Sequence, residues 1–175
     1  PEPPRVAVIV PAYGVAHLLG EALDSLLAQT FTAWECLVID DGAPDDVAGA
    51  VAPYLSDPRI RFLATANQGV SGARNTAIAA TSAPLIALLD GDDRFRPDYL
   101  AQTVARLEAD PELRLVTVNA AIFGAVRHRP VDRRNGGLNV SQALNLGNHD
   151  VAKIGTDSAD DHLDVLLKGG MVDRM

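Results

Sequence analysis

Short apolar segments alternate with amphipathic segments along the first two thirds of the chain, and this alternation restricts the fold more than any other feature. Val6–Val10 is a β-branched run that Pro11 ends, whereas the leucines from Leu18 to Leu27 recur every three or four residues. The two patterns continue, predicting strands at 6–10, 35–39, 60–64, 84–89 and 113–118, and helices at 18–27, 45–55, 69–80 and 98–109. We therefore expect an α/β protein with an open, mostly parallel twisted sheet and helices on both faces.

The composition is that of an ordinary folded protein, with 47% hydrophobic and 22% charged residues among 175. A chain of this length is expected to form one domain. Its formal net charge of −8 opposes the binding of a polyanion, so nucleic acid is not an expected partner. One phosphorylated ligand remains compatible with this charge if backbone amides, a metal ion or a single arginine meets the phosphate.

The single cysteine, Cys36, excludes a disulfide within these residues and any cysteine-based zinc site, which favours a cytoplasmic protein. The apolar runs are far shorter than the roughly 20 residues of a membrane-spanning helix, and we expect no signal peptide. The sequence begins with Pro1 instead of methionine, so we interpret the chain as a piece of a longer protein.

The regular pattern weakens beyond Phe123. We therefore predict a typical α/β region at 1–123 and a partial or atypical region of the same domain at 124–175. Two short helices are predicted within the second region, at 141–146 and at 162–167.

Acidic residues follow two of the predicted strands. Asp40 and Asp41 come after the second strand, and Asp90, Gly91 and Asp92 come after the fourth. The carboxyl ends of parallel strands meet in one crevice, where clustered carboxylates repel each other and favour a bound cation. Oxygen ligands alone indicate Mg²⁺ or Mn²⁺. The alternative is that these residues only end strands and cap helices.

One basic residue lies near the same predicted edge. Arg74 falls within the helix that opens near Gly69, and the first amides of a helix attract anions. Two interpretations stand: Arg74 meets a diphosphate, or it pairs with a surface acid.

Five segments carry recognisable patterns in a fixed order: VAVIVPAY at 6–13, ALDSLLAQTF at 22–31, WECLVIDDG at 34–42, NQGVSGARN at 67–75 and LLDGDD at 88–93, followed by Pro97-Asp98. Together they resemble the consecutive motifs of glycosyltransferase family 2 over roughly Arg5 to Val118, about two thirds of the chain. The resemblance implies the GT-A fold, which is Rossmann-like. It also implies inverting transfer of a sugar from a nucleotide diphosphate-sugar, with UDP as the favoured nucleotide, to an acceptor hydroxyl.

The resemblance also assigns residues of the first three motif regions. Pro11, Ala12 and Tyr13 would line the pocket for the base and ribose. Asp41 would accept a hydrogen bond from the base, with Asp40 beside it. Region 1–123 would thus bind the nucleotide-sugar.

The later motifs imply the remaining contacts to the donor. Asn67 and Arg74 match family positions near the nucleotide. In the DxD motif, Asp90 would sit toward the ribose, Gly91 would allow close approach, and Asp92 would hold Mn²⁺ or Mg²⁺ on the diphosphate. The metal would stabilise the charge that grows on the departing diphosphate.

The general base is expected after the DxD motif, and Asp160-Asp161 is the nearest match. Asp161 is our candidate for the carboxylate that removes the acceptor's proton, although Asp160 stands where glutamate is usual. The alternative is that these acids only favour a helix N-terminus.

The acceptor is expected to be a glycan or a lipid-linked sugar of polysaccharide biosynthesis. The basic residues between Arg127 and Arg134 either attract such an acceptor at the inner face of a membrane, as peripheral contact, or form a solvated loop.

Three other functions are compatible with parts of this pattern. A degenerate or truncated glycosyltransferase domain would bind nucleotide without transferring sugar. A phosphatase of the haloacid dehalogenase kind also has an Asp-x-Asp, but it normally follows the first strand, and Asp93-Arg94 departs from its pattern. A signalling receiver would not explain Arg74-Asn75. The sequence does not specify the sugar or an oligomeric state.

Overall fold

The computed structural model describes residues 2–118, 154–156 and 164–168. The strands are β1 (Val6–Ala12), β2 (Trp34–Asp41), β3 (Ile60–Thr65), β4 (Leu85–Leu88), β5 (Leu115–Val118), β6 (Ile154–Thr156) and β7 (Asp164–Lys168). The helices are α1 (Ala16–Leu27), α2 (Val47–Val51), α3 (Gly69–Ala79) and α4 (Tyr99–Ala109), with a 3₁₀ turn at Ala52–Tyr54.

The strands form one sheet in the order β3-β2-β1-β4-β7-β5-β6. β1 pairs in parallel with β2 on one side and with β4 on the other, and β2 pairs in parallel with β3. β7 runs antiparallel between β4 and β5. The predicted α/β class with a mostly parallel sheet is therefore confirmed. The chain changes direction across the sheet between β1 and β4, which is where such sheets bind ligands.

The side chains of β1 alternate between two apolar layers because successive residues of a strand point to opposite faces. Val6, Val8 and Val10 belong to the layer that contains the buried side chains of α1, α2 and α4. Ala7 and Ile9 belong to a smaller layer with the buried alanines of α3. Helices thus cover both faces, and β1 is buried between them.

Two predicted helices differ from the structure. The helix predicted at 162–167 is wrong, since Asp164–Lys168 is strand β7, bonded to β4 and β5. A short apolar run is compatible with a helix or a strand, and here pairing with the edges of β4 and β5 favours the strand. The helix predicted at 45–55 narrows to α2 and the 3₁₀ turn, where Pro53 lacks the amide that a continuing helix needs.

The helix predicted at 141–146 and the basic segment 127–134 lie outside the described residues. The division at residues 123 and 124 stays a prediction. In the part of the chain that the structure describes, no helix combines the length and apolar character needed to cross a membrane.

Candidate functional site

A cleft of about 470 Å³ opens at the carboxyl edge of the sheet. It collects side chains and backbone from the ends of four strands that are far apart in sequence. Eight predicted site residues line it: Pro11, Ala12, Tyr13, Asp41, Asn67, Asp90, Gly91 and Asp92. The structure therefore brings Asp41, from the first acidic cluster, into one cavity with Asp90 and Asp92 of the second.

Asp41 forms the buried end of β2 within the cleft. Its Oδ1 accepts hydrogen bonds from the amide of Gln68, at 2.8 Å, and from the hydroxyl of Thr65, at 3.4 Å. The next residue, Gly42, has φ of 64°, and a Cβ there would lie 2.9 Å from the amide nitrogen of Asn67. Glycine thus lets the loop after β3 approach β2, and that loop fixes the Asp41 carboxylate.

Asp90 is paired with Arg74 at the cleft. Nη2 of Arg74 lies 2.7 Å from Oδ1 of Asp90, whose side chain is 50% exposed while that of Arg74 is 23% exposed. The Nε of Arg74 is buried and has no hydrogen-bond partner among the described residues. The guanidinium of Arg74 thus balances the charge of Asp90 at the cleft.

The turn that carries the DxD motif sits closely on α1. The amide of Asp93 donates to the carbonyl of Asp90 at 2.9 Å, which closes the turn. A Cβ on Gly91 would lie 2.8 Å from Cγ2 of Val15 and 3.5 Å from Cδ1 of Leu19. Only glycine fits at this position without a shift of the turn or of α1.

The loop that carries Tyr13 is held by a residue from the β2–α2 connection. Asp45 accepts hydrogen bonds from the amides of Gly14, at 2.9 Å, and Ala16, at 2.7 Å. Hydrogen bonds from these amides, that of Ala16 first, hold the pKa of Asp45 below its ordinary value of 3.8. Asp45 therefore caps α1, which has no side-chain cap of its own.

Of the other predicted site residues, Arg74 does not line the cleft itself and meets it only through Asp90. Asp40 is not among the residues that line the cleft, and its Oδ1 accepts from the amide of Ala43 at 2.8 Å within the turn after β2. This matches the alternative interpretation of an acid that ends a strand. Asp160 and Asp161 lie outside the described residues, so the candidate base stays a prediction.

Sequence reasoning missed several lining residues. Val15, Gly69, Val70 and Ala73 also line the cleft, and Val70 is 51% exposed. These residues open α1 and α3, so their position directly after the first and third strand-end loops was the available signal. Asp45 was missed because its contacts lie 29 and 31 residues away.

No group of three or more His, Cys, Asp or Glu side chains able to hold a metal ion occurs among residues 2–118 and the two described later strands.

The sequence model for "Glycosyl transferase family 2" matches residues 7–159, most of the chain. The chain belongs to this family. A relative from Escherichia coli, "UDP-Glc:alpha-D-GlcNAc-diphosphoundecaprenol beta-1,3-glucosyltransferase WfgD", is 40% identical over 103 residues, covering 58% of this chain and 40% of WfgD. The chain spans well under half the length of the curated relatives that it matches first.

Two solved structures share the fold. The mannosyltransferase PcManGT from Pyrobaculum calidifontis, in complex with GDP-Man and Mn²⁺, is 30% identical with a TM-score of 0.62, covering 69% of this chain and 36% of that one. TarS 1-349 from S. aureus, in complex with UDP, is 22% identical with a TM-score of 0.63, covering 71% and 38%. This member of glycosyltransferase family 2 thus has the GT-A fold.

Proposed function

We propose that this chain is the donor-binding part of an inverting, metal-assisted glycosyltransferase that takes a nucleotide diphosphate-sugar, with UDP-sugars favoured. The observation that carries the proposal is the convergence of Asp41, Asp90 and Asp92 in one cleft. WfgD is named for UDP-Glc and a diphosphoundecaprenol-linked acceptor, and TarS binds UDP. PcManGT, with GDP-Man, keeps GDP as the alternative nucleotide.

The nucleobase would lie against the carboxyl ends of β1 and β2. Tyr13, 55% exposed, offers a ring face, while Pro11 and Ala12 form the floor of the pocket. The carboxylate of Asp41 can only accept, so it favours a base with a ring N–H such as uracil, thymine or guanine. Asn67 borders the same pocket from the loop after β3.

The diphosphate would lie between α3 and the DxD turn. The N-terminus of α3 borders the cleft at Gly69 and Val70, and a helix N-terminus favours anions. Arg74 holds Asp90 through a charged hydrogen bond, which offsets part of the negative charge of the cleft.

The DxD residues fit a hard divalent cation. Mg²⁺ usually takes one or two carboxylates together with waters and substrate phosphates. Asp92 is exposed in the cleft and would be the principal ligand, with Asp90 beside it. When bound, Mn²⁺ or Mg²⁺ would stabilise the charge that develops on the departing diphosphate.

Transfer also needs a general base, on the face of the sugar opposite the departing diphosphate. Asp161, with Asp160 beside it, is proposed to take the proton from the acceptor hydroxyl as its oxygen attacks the anomeric carbon. The acceptor is proposed to be a glycan or a lipid-linked sugar reached from the cytoplasmic face of a membrane.

Thermal unfolding with UDP, GDP and dTDP, with Mn²⁺ or with EDTA, tests the donor site. A ligand that binds only the folded state raises the free energy of unfolding by RT ln(1 + [L]/Kd). We expect Asp92→Ala to remove the Mn²⁺-dependent part of the stabilisation and to leave the melting temperature without ligand unchanged. A nucleotide effect that is the same in wild type and Asp92→Ala would contradict the metal assignment.

The second candidate function is nucleotide binding without transfer, because the cleft residues are assigned to the donor and the metal and none of them is the candidate general base. Single-turnover assays with several nucleotide-sugars distinguish the two. Transfer predicts release of nucleotide diphosphate, which Asp161→Asn should abolish while nucleotide affinity stays unchanged. Metal-dependent binding with no release would support the binding module.

A further inference from the structure

The acidic loop, which we define as residues 90–98 between β4 and α4, is anchored far from its carboxylates. Phe95 is buried in this loop and stacks on Tyr99 of α4, with ring centroids 3.9 Å apart. Asp90 and Asp92 lie at the other end of the loop, in the cleft. The position of the carboxylates therefore depends on what holds the whole loop.

Gln29, just beyond the C-terminal end of α1, is one of the few buried polar side chains of the described chain. Its Nε2 donates to the carbonyl of Arg96, at 2.7 Å, and to that of Ser25, at 3.1 Å. Its Oε1 accepts from the amide of Leu100 at 3.0 Å. Both amide hydrogens and the carbonyl oxygen are thus used, which fixes the orientation of the amide group.

Through these contacts Gln29 binds both the end of the acidic loop and the start of α4. Arg96 lies in the loop, and the amide of Leu100 is in the first turn of α4, where helix amides lack partners within the helix. Asp98, at the N-cap, makes no side-chain cap of its own. Gln29 supplies that cap from a distance of 71 residues along the chain.

Neighbouring groups of α1 bind the same loop. Oγ of Ser25 accepts from the amide of Phe95 at 3.1 Å, and the amide of Thr30 donates to the carbonyl of Pro97 at 2.8 Å. With Arg96, three consecutive loop residues are bound by one short segment. At the other end of the loop, Gly91 packs closely against Val15, the N-cap residue of α1.

We infer that Gln29 is a positioning residue that holds the carboxylates of Asp90 and Asp92 in place for the metal and diphosphate. The inference rests on the proposed function. Gln29 does not line the cleft, so it acts through the loop and not by touching the ligand. Asp41 belongs to β2 and is held by Gln68 and Thr65, so Gln29 should not affect recognition of the base.

The test compares UDP affinity with Mn²⁺ and with EDTA in the whole chain. Gln29→Met keeps the length of the side chain and removes the amide. We expect its UDP affinity with Mn²⁺ to fall by about tenfold to a hundredfold, as for other groups that support metal ligands, and its affinity in EDTA to stay unchanged. Glu112→Met, at an exposed position beyond α4, is the control and should change neither affinity.

A second variant covers the case in which Gln29→Met does not fold. Gln29→Glu keeps the acceptor for the amide of Leu100, but it loses the two donated hydrogen bonds and sets a carboxylate oxygen against the carbonyls of Ser25 and Arg96. The same selective loss of Mn²⁺-dependent affinity is expected. Unchanged affinities in a folded variant, or equal losses with Mn²⁺ and with EDTA, would overturn the inference.

Hydrogen exchange separates this inference from the proposed function. Amides of residues 90–100 should exchange faster in Gln29→Met than in wild type, with no change in Glu112→Met. Wild type that binds no nucleotide at all would contradict the proposed function, while unchanged exchange in this segment would contradict the positioning role of Gln29.

Discussion

Arg74 and Asp90 come from different elements, 16 residues apart, and meet through a 2.7 Å contact between a guanidinium nitrogen and a carboxylate oxygen. The two sequence interpretations of Arg74 were contact with a diphosphate and a pair with an acid. Both apply to the same site, because its acidic partner Asp90 lines the cleft. Because Arg74 is paired with Asp90, its guanidinium is not the partner of Asp92, the candidate metal ligand. It also balances the negative charge of Asp90 next to the proposed diphosphate position.

Arg74→Met should weaken UDP binding by about tenfold while the melting temperature changes little. The affinity falls because Asp90 would face the diphosphate without its cation, and charged hydrogen bonds contribute on the order of one factor of ten. Stability is nearly kept because partly exposed ion pairs contribute only about 0–1 kcal/mol. Calorimetric titration and thermal unfolding measure the two quantities. Arg61→Met, which removes a pair with Glu35 away from the cleft, should leave affinity unchanged.

Asp41→Asn should reduce UDP affinity by about tenfold both with Mn²⁺ and with EDTA. The substitution removes the charged acceptor for the base and leaves the metal ligands in place. The adjacent change Asp40→Asn is the matched control, because Asp40 accepts only a turn amide and lies outside the cleft lining. Titrations that show equal losses for both variants would contradict the different roles of these neighbours.

Gly91→Ala should destabilise the chain by about 1–3 kcal/mol, because the new Cβ would lie 2.8 Å from a methyl group of Val15. Valine cannot turn away freely, since it is β-branched. Urea unfolding measures the effect. In a Val15→Ala background the same change should cost about 1 kcal/mol less, because that methyl group is gone. Additive effects in this double-mutant cycle would show that the contact is not responsible.

Asp45→Ala should loosen the Tyr13 loop and weaken nucleotide binding at neutral pH. Because the pKa of Asp45 lies below its ordinary value of 3.8 in the folded chain, its contribution to stability is present above that value. The contribution is lost as the pH falls through the folded pKa. Unfolding measured from pH 7 downward should therefore show wild type and variant converging in acid. Glu112→Ala, at an exposed position, is the control. It removes no helix cap, so the curves of wild type and this variant should not converge in this way.

The sequence predicted the parts of the site that follow from strand ends. Asp41 and Asp92 lie two and three residues after apolar runs, and parallel strands bring such positions to one edge. The supporting contacts could not be predicted in this way. Gln29 reaches residues 67 and 71 positions away, and Asp45 reaches across two elements, so only the packing of helices on the sheet defines these pairs. The run 164–168 shows the same limit, because its state depends on which strands lie beside it.

The place of β7 also constrains synthesis of the chain. β4 is complete by Leu88, yet its second edge is covered by a strand that begins only at Asp164. During translation, the amides and carbonyls of this edge have no β7 to pair with until about 75 further residues are made. At 5–20 residues per second this takes roughly 4–15 seconds. Until then the nascent sheet presents an open edge of the kind that pairs with other chains.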